Sequence, residues 1–447
     1  MEPPERDPVP AGSDVSEAPI GRHASPLRNP WWIPPFLGGV PPLEPRLIRL
    51  LGLVTFGVFF EQYDLSLLSA AIRHINEDLQ IGLGESGYYL SAIRLGGFLT
   101  FAIVPFADRL GRRRIFLVSL LGMSVGTLAS GLSPNALCFV AAQVVSRAFM
   151  LAAIAVAVVI LTEEFPAAHR GWAIGVMGAV GGFGFGLGAM IFSLIDVLPY
   201  GWRALYVLGF LPVLLLPMFR RELVETTRFQ QLRERGEIAS GVSGLASILG
   251  LARAQPRRAL TLGAVAALSA MGGIAVFQYA SLFVQTVHGW EPWRYSVMII
   301  AGGGIGVAGN VVAGRLGDRL GRRRVGLIAY LCFPAFAVAF YQGPSWMLWL
   351  AFGGFVFCNS AGEVVTRTFA GELFATSRRG AATGWLAFAS TLGWAAGLLA
   401  VGVGTVDVAD LVLTICLLGL AAALAGCFLL ALPETRQRAL EEIAEEG

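Results

Sequence analysis

Six charged side chains stand inside otherwise apolar stretches of this chain. Glu61 and Asp64 share the segment FFEQYDLSLL, and Arg94, Arg147, Glu363 and Arg367 lie in three others. A charge held at membrane depth costs at least about 2.5 kcal/mol, so such residues are usually kept for a task. Glu61 and Asp64 are three apart and share one helix face. Two carboxylates clustered in a dry site do not both stay ionised. Such acids can take a proton from one side of a barrier and release it to the other, which makes Glu61, Asp64 and Glu363 the proton-coupling candidates. Glu363 and Arg367 are four apart with the acid first, a spacing that a static ion pair also satisfies, and both readings stand. Arg94 and Arg147 carry forked donors suited to a carboxylate, whether that belongs to a neighbouring helix or to an anionic substrate.

Polar residues complete a candidate substrate-binding set: Arg94, Arg147, Gln278, Tyr279, Asn359 and Arg367. Tyr279, Trp385 and Trp394 offer ring faces for stacking, or for plain packing. No catalytic or metal constellation accompanies them. His23, His74, His169 and His288 fall in the tail or in polar joints, and the five cysteines have no CxxC or metal-like spacing. No phosphate-binding loop is found, so ATP-driven pumping is not expected, and neither is a metal or cofactor.

These residues need elements that place them at depth. Apolar residues make up 55% of the 447 and charged residues only 14%, against about 25% charge in an average soluble protein. Twelve apolar spans follow Leu47, at roughly 47–69, 86–107, 115–133, 137–162, 171–195, 202–219, 259–287, 294–316, 325–343, 345–370, 381–403 and 408–432. Each approaches the twenty or so residues of a bilayer crossing, and lipid leaves helix as the workable conformation. At about 1.5 Å per residue, Arg94 lies roughly 21 Å from Asp108, Glu61 roughly 21 Å from Leu47, and Arg147 roughly 24 Å from Glu163. The four charges of the first half therefore fall in one layer.

The arginines set the orientation. One set of joints holds Arg109, Arg112, Arg113, Arg114, Arg170, the arginines of 220–258, those of 319–324, Arg378, Arg379, Arg436 and Arg438; the other holds only Arg73, Arg203 and Arg294. The positive-inside rule assigns the first set and both termini to the cytoplasm. Residues 1–46 are proline-rich and read as a disordered cytoplasmic tail. Two six-helix halves, 47–219 and 259–432, flank a cytoplasmic linker at 220–258 where amphipathic surface helices are expected, and 433–447 form a second tail. Gly175, Gly178, Gly182 and Gly186 of the fifth span suggest close helix packing.

The halves repeat. DRLGRRR occurs at Asp108–Arg114 and Asp318–Arg324, 210 residues apart; EEFPAAHRG from Glu163 matches ELFATSRRG from Glu372, and Glu225-Thr226 matches Glu434-Thr435. Ordered markers at one offset signal duplicated halves. GRLGDRLGRRR from Gly314 to Arg324 resembles the loop motif of the major facilitator superfamily, with Val104 in place of the first glycine in the earlier copy. The Glu163, Pro166, Arg170, Gly171 pattern and LPETRQRALEEI from Leu432 resemble its sugar-porter-like branch. The Glu61–Asp64 spacing is similar to paired acids in aromatic-acid:proton symporters, although Gln62 stands where glycine is usual. The paired glutamines of sugar porters are absent from the seventh span.

This resemblance implies an all-α membrane protein, with twelve transmembrane helices in two pseudo-symmetric six-helix halves. It also implies a cytoplasmic gate built from Asp108, Arg109, Gly111, Arg112, Glu163 and Arg170, and from Gly314, Asp318, Arg319, Gly321, Arg322, Glu372 and Arg379. The expected function is secondary active transport without enzymatic chemistry: proton-coupled uptake of a small organic metabolite, a carboxylate by preference. Efflux of a drug or metabolite and a non-transporting ligand sensor are the alternatives. The expected partners are a small-molecule solute, protons and the lipid bilayer. The chain is expected to be monomeric, without nucleic acid, in a bacterial inner membrane.

Overall fold

In the computed structural model, residues 30–34, 39–235, 244–374 and 378–436 are described. Twelve helices among them are long and apolar enough to cross a membrane: α1 Pro45–Ala70, α2 Leu83–Leu110, α3 Arg112–Gly131, α4 Ala136–Glu164, α5 Arg170–Phe192, α6 Trp202–Glu222, α7 Pro256–Val287, α8 Pro292–Leu320, α9 Arg322–Gln342, α10 Leu348–Glu372, α11 Arg379–Gly404 and α12 Val408–Leu429. They coincide with the twelve spans expected from the sequence. Local chemistry explains their starts. Pro45, Pro256 and Pro292 open α1, α7 and α8, where a missing N–H costs nothing. The Asn135 and Asp407 side chains accept from the backbone N–H of Cys138 and Asp410, both at 2.9 Å, and so cap α4 and α12.

An even number of crossings leaves both ends of the bundle, and both DRLGRRR loops, on one side, here called the motif face; the other is the far face. The outer surface is apolar. On α12, Leu413, Leu417, Leu420 and Leu424 are all exposed at helical spacing, a stripe suited to lipid. Within the first half α1 runs along α5 and α3 along α4; within the second, α7 runs along α11 and α12, and α10 along α8 and α9. Between the halves, α2 meets α11 and α5 meets α8.

Close approach between α2 and α11 depends on glycine. A Cβ built at Gly84 would reach Thr405 O at 2.7 Å, and one at Gly87 would reach Leu398 O at 2.7 Å. The glycines of α5 act differently from expectation. A Cβ at Gly175, Gly178, Gly182 or Gly186 meets nothing within 4 Å; the face packed on α1 carries Gly181, Gly184 and Gly188 instead. Both stripes have helical spacing, and only the neighbour's position separates them.

The segments around the spans also carry structure. Residues 1–29 of the expected tail, and 437–447, lie outside the described residues. Nearer α1, Ile33 and Leu43 are buried and Trp32 lies against Gly52, so apolar side chains tie this stretch to the bundle despite its prolines. In the linker, helices Thr227–Glu234 and Gly244–Ala254 form, with Phe229 buried in the first and Ile248 against Gly384 of α11.

Candidate transport site and motif-face network

Glu61 and Asp64 are buried on one face of α1, with relative exposures of 1% and 3%. Helix α4 brings Arg147, whose Nη1 stands 4.0 Å from Glu61 Oε1. Gln62 Nε2 donates to the other oxygen of Glu61 at 2.6 Å. Asp64 has a different partner: Thr127 Oγ1 of α3 donates to its Oδ1 at 2.9 Å, and Ser146 Oγ of α4 lies 3.1 Å from the same hydroxyl. One acid therefore faces a cation and the other a chain of hydroxyls. A hydroxyl can donate to a carboxylate or accept from a carboxylic acid, so Asp64 has a partner in either protonation state.

Arg94 of α2 is as buried, at 5%, yet has no ion pair among the described residues. Its Nη2 donates to Gln278 Oε1 at 3.1 Å, its Nε is buried without a partner, and its Cζ lies 5.8 Å from the Trp394 ring centre. Glu61 and Arg147 both lie within its electrostatic reach. The structure thus brings Glu61, Asp64, Arg94 and Arg147 together within the first half, and Arg94 joins them to Gln278 of the second.

Gln278 sits where α7 breaks. The chain turns at Tyr279 (φ −99°, ψ 1°) before resuming as Ala280–Val287, and α1 turns in the same way at Ala71 (φ −89°, ψ 5°) before a short helix, Ile72–Asp78. Gln278 Nε2 donates to Leu68 O at 3.1 Å, Ser281 Oγ to Ala70 O at 2.6 Å, and Ser91 Oγ to Ala395 O at 2.8 Å. With Arg94–Gln278, these bonds join the halves toward the far face. Phe192 of α5 adds an edge contact to Tyr295 of α8, with ring centres 6.2 Å apart.

Other expected site residues lie elsewhere. Tyr279 is fully buried beside the α7 break, and Asn359 of α10 lies against Gly273 of α7, whose Cβ would approach its Oδ1 to 3.0 Å. Glu363 and Arg367 form their i,i+4 pair at 2.9 Å, but with side chains 47% and 76% exposed. The pair that their spacing allows is formed, on a face of α10 that is not covered, and sequence spacing alone does not say which helix face is covered. Trp385 donates to Ala259 O at 2.6 Å and stacks on Phe388, which makes it a packing residue.

At the motif face each half builds the same network. Arg112 Nη2 contacts Asp108 at 2.9 Å and Glu163 at 3.1 Å; Arg322 Nη2 contacts Asp318 at 3.2 Å and Glu372 at 2.7 Å. Gly111 and Gly321 separate the paired helices with φ of 103° and 99°, conformations that glycine adopts freely. Behind each glycine sits a carboxylate whose site role the sequence reading missed. Glu225 Oε1 accepts from Arg113 N at 3.1 Å, and Glu434 accepts from Arg322 N at 2.9 Å and Arg323 N at 3.2 Å, so each holds the positive end of a helix. Their matched spacing was visible only as a repeat marker. Thr226 Oγ1 also donates to Glu163, at 2.7 Å.

The remaining motif residues have simpler surroundings. Arg109 and Arg319 are exposed, Arg170 Nε donates to Phe165 O at 3.0 Å, and Arg379 Nε is buried without a partner. A Cβ at Gly314 meets nothing within 4 Å, so Val104 at the equivalent place needs no compensating change. Among the described residues, no ion pair joins the two halves.

Residues 54–316 and 305–447 match the sequence profile of the Major Facilitator Superfamily. The chain is similar to a gallate transporter of Pseudomonas putida, 25% identical over 86% of this chain and 91% of that protein. It is also similar to a cis,cis-muconate transport protein of Acinetobacter baylyi, 25% identical over 72% of this chain and 78% of that protein. Among solved structures, an inward-facing, occupied bacterial homologue of the human lysosomal transporter Spinster gives a TM-score of 0.73 at 15% identity, covering 87% of this chain and 97% of that one. The inward-open xylose transporter of E. coli gives 0.68 at 16% identity, covering 89% and 99%. A family match over most of the chain, twelve crossings among the described residues and duplicated loop motifs leave one conclusion: the chain belongs to the Major Facilitator Superfamily and is a multi-pass membrane transporter, not an enzyme.

Proposed function

We propose that this transporter is a proton symporter that imports a small organic carboxylate. The observation that carries this reading is the buried layer of two acids and two arginines in the first half, Glu61 and Asp64 with Arg147 and Arg94, which Arg94 links to the second half. Two arginines in a low-dielectric site favour an anionic solute. The curated relatives point to the same class, since gallate is an aromatic carboxylate and cis,cis-muconate a dicarboxylate.

The chemistry runs through the acids. Protonation of Asp64 or Glu61 from the far side takes the net charge of the layer from zero to +1, and the anionic solute binds beside the arginines. The halves then rock about the bound pair, and the proton leaves on the motif face. The arginine-rich motif face is cytoplasmic in this reading, with both termini, and the membrane is a bacterial inner membrane. The hydrogen bonds between the halves lie toward the far face, which supports reading the arrangement described as the inward-facing one. The networks around Arg112 and Arg322 stay within their own halves here and serve as the cytoplasmic latch of the outward-facing state. A single chain is the transporting unit.

The test is uptake of labelled gallate and cis,cis-muconate into proteoliposomes under an imposed pH gradient, with lumenal pH recorded. Uptake driven by external acid, with lumenal acidification, is expected; Glu61→Gln with Asp64→Asn should lose that drive but keep solute counterflow. Gradient-driven uptake that survives the double substitution overturns the proton assignment, and transport only out of the vesicles overturns the direction.

A further inference from the structure

Of the two arginines in the buried charge layer, Arg94 has no carboxylate partner among the described residues, and its geometry shows what it is short of. A guanidinium offers a side-on edge made of Nε and Nη2, which matches the two oxygens of a carboxylate. In Arg94, Gln278 Oε1 occupies Nη2 alone, and Nε is buried with no acceptor. The amide oxygen as placed meets Nη2 and leaves Nε open. The Trp394 ring lies 5.8 Å from the guanidinium centre and is only partly covered, so an apolar face adjoins the vacant donor.

We infer that the solute carboxylate replaces the Gln278 amide oxygen on the Nε–Nη2 edge of Arg94, with the apolar body of the solute against Trp394, so that binding itself cuts a hydrogen bond between the halves. This deepens the carboxylate-symport reading and rests on it. The exchange is favourable on two counts. A charge-assisted bidentate pair is roughly twice as strong as a bond to a neutral amide. It also satisfies the orphaned Nε, whose burial without a partner is costly. The released amide oxygen keeps Ser69 Oγ, 3.4 Å away, and Gln278 Nε2 keeps Leu68 O.

The consequence is coupling. Arg94 belongs to α2 in the first half and Gln278 to α7 in the second, so their bond helps to hold the far-face seam. In the uptake direction, release of the solute to the motif face returns Arg94 to Gln278 and restores that closure, and a solute rebinding from the motif face must break it. A neutral analogue of the same shape lacks the second oxygen charge and leaves the seam intact.

The experiment uses the full chain in lipid nanodiscs. Binding of gallate, benzoate and cis,cis-muconate is measured beside their uncharged amides, for wild type, Arg94→Gln, Arg94→Lys and Gln278→Ala. Wild type should prefer the carboxylates. Arg94→Gln should lose at least about tenfold in carboxylate affinity with amide binding unchanged, and Arg94→Lys, which keeps the charge but not the fork, should fall between. Gln278→Ala should bind carboxylates more tightly, because the competitor for Arg94 is gone. If wild type binds a carboxylate and Arg94→Gln binds it equally, or if Gln278→Ala binds it more weakly, this inference falls while the symport reading stands. Arg94→Lys binding as tightly as wild type overturns the side-on geometry. If wild type binds none of the carboxylates, the symport reading itself falls.

Discussion

Gln278 and Leu68 are 210 residues apart, the same offset that relates the two DRLGRRR loops, and they are hydrogen-bonded to each other at 3.1 Å. In a duplicated protein, equivalent residues of the two halves touch only at the axis that relates them. Ser281 and Ala70, 211 apart, are bonded beside them. The pseudo-two-fold axis therefore passes between the broken ends of α1 and α7. The charge layer of α1, α2 and α4 lies just inside that point. Contacts on the axis are a natural place for the halves to rock, because both move there by the least distance.

Substitution at Gly87 should open this seam. A Cβ there would come within 2.6 Å of Gly402 Cα and 2.7 Å of Leu398 O, and backbone atoms cannot swing aside. Gly87→Leu should force α2 from α11 at the far face and slow transport. The readout is a cysteine at Ser91, which bonds to Ala395 O in the seam, in a background without the five native cysteines. Ser91→Cys alone should resist an impermeant maleimide from the far side, and should react once Gly87→Leu is added. Equal protection in both would show that the seam tolerates the side chain.

Gly111→Ala and Gly321→Ala should both destabilise, and unequally. Each glycine has a φ near 100°, at 103° and 99°, where a side chain is strained by about 1–3 kcal/mol. The space differs. A Cβ at Gly111 overlaps Glu225 Oε2, whereas at Gly321 it reaches Glu434 Oε2 at 2.8 Å. Gly111→Ala should therefore give the larger fall in thermal stability in detergent. An equal or reversed order would mean that the capping carboxylates yield freely.

Much of this was legible because lipid imposes coarse rules. An apolar run as long as 137–162 reads as a crossing, and the orientation of the joints follows from arginine placement. Helix rise alone put Glu61, Arg94 and Arg147 at one depth, and the structure brings them together. What was hidden needed neighbours rather than spacing. Thr127 and Ser146 are lone hydroxyls in apolar helices, and nothing local marks them as partners of Asp64. Arg94 meets Gln278 across 184 residues of chain. Which face of a helix is covered was likewise undecided, and so Glu363 and Arg367 turned out exposed, and the packed glycines of α5 fell on its other side.

Asp318→Asn should slow transport while leaving insertion and stability nearly intact. The Asp318 side chain is 69% exposed and its pair with Arg322 is an i,i+4 contact, worth less than about 1 kcal/mol. Arg322 also keeps Glu372 at 2.7 Å. A loss of transport of severalfold with an unchanged melting temperature would therefore report a conformational role for the charge. Wild-type rates in the variant would count against the latch.

His74 should make the far face sensitive to acid. It lies on the short helix after α1, beyond the crossing, with its ring edge-on to Phe192 at 5.8 Å. Phe192 in turn meets Tyr295 of the other half. Burial pushes the imidazole below its ordinary value; Asp196, at 3.9 Å, and Glu77 oppose that shift, while Arg73 reinforces it. The unfolded chain binds a proton at an ordinary histidine near pH 6.5, but the native protein does so only at lower pH. Between those two values the unfolded state holds more protons. The contribution of neutral His74 is therefore present in full above about pH 6.5 and is lost as the pH falls below it. His74→Phe keeps an aromatic edge against Phe192 and cannot titrate. Thermal unfolding from about pH 7.5 down to about pH 5 should show wild type losing stability faster than the variant, with the gap growing only below about pH 6.5. Parallel profiles would mean that His74 is protonated as easily in the folded protein as outside it, and that the seam owes nothing to its neutral form.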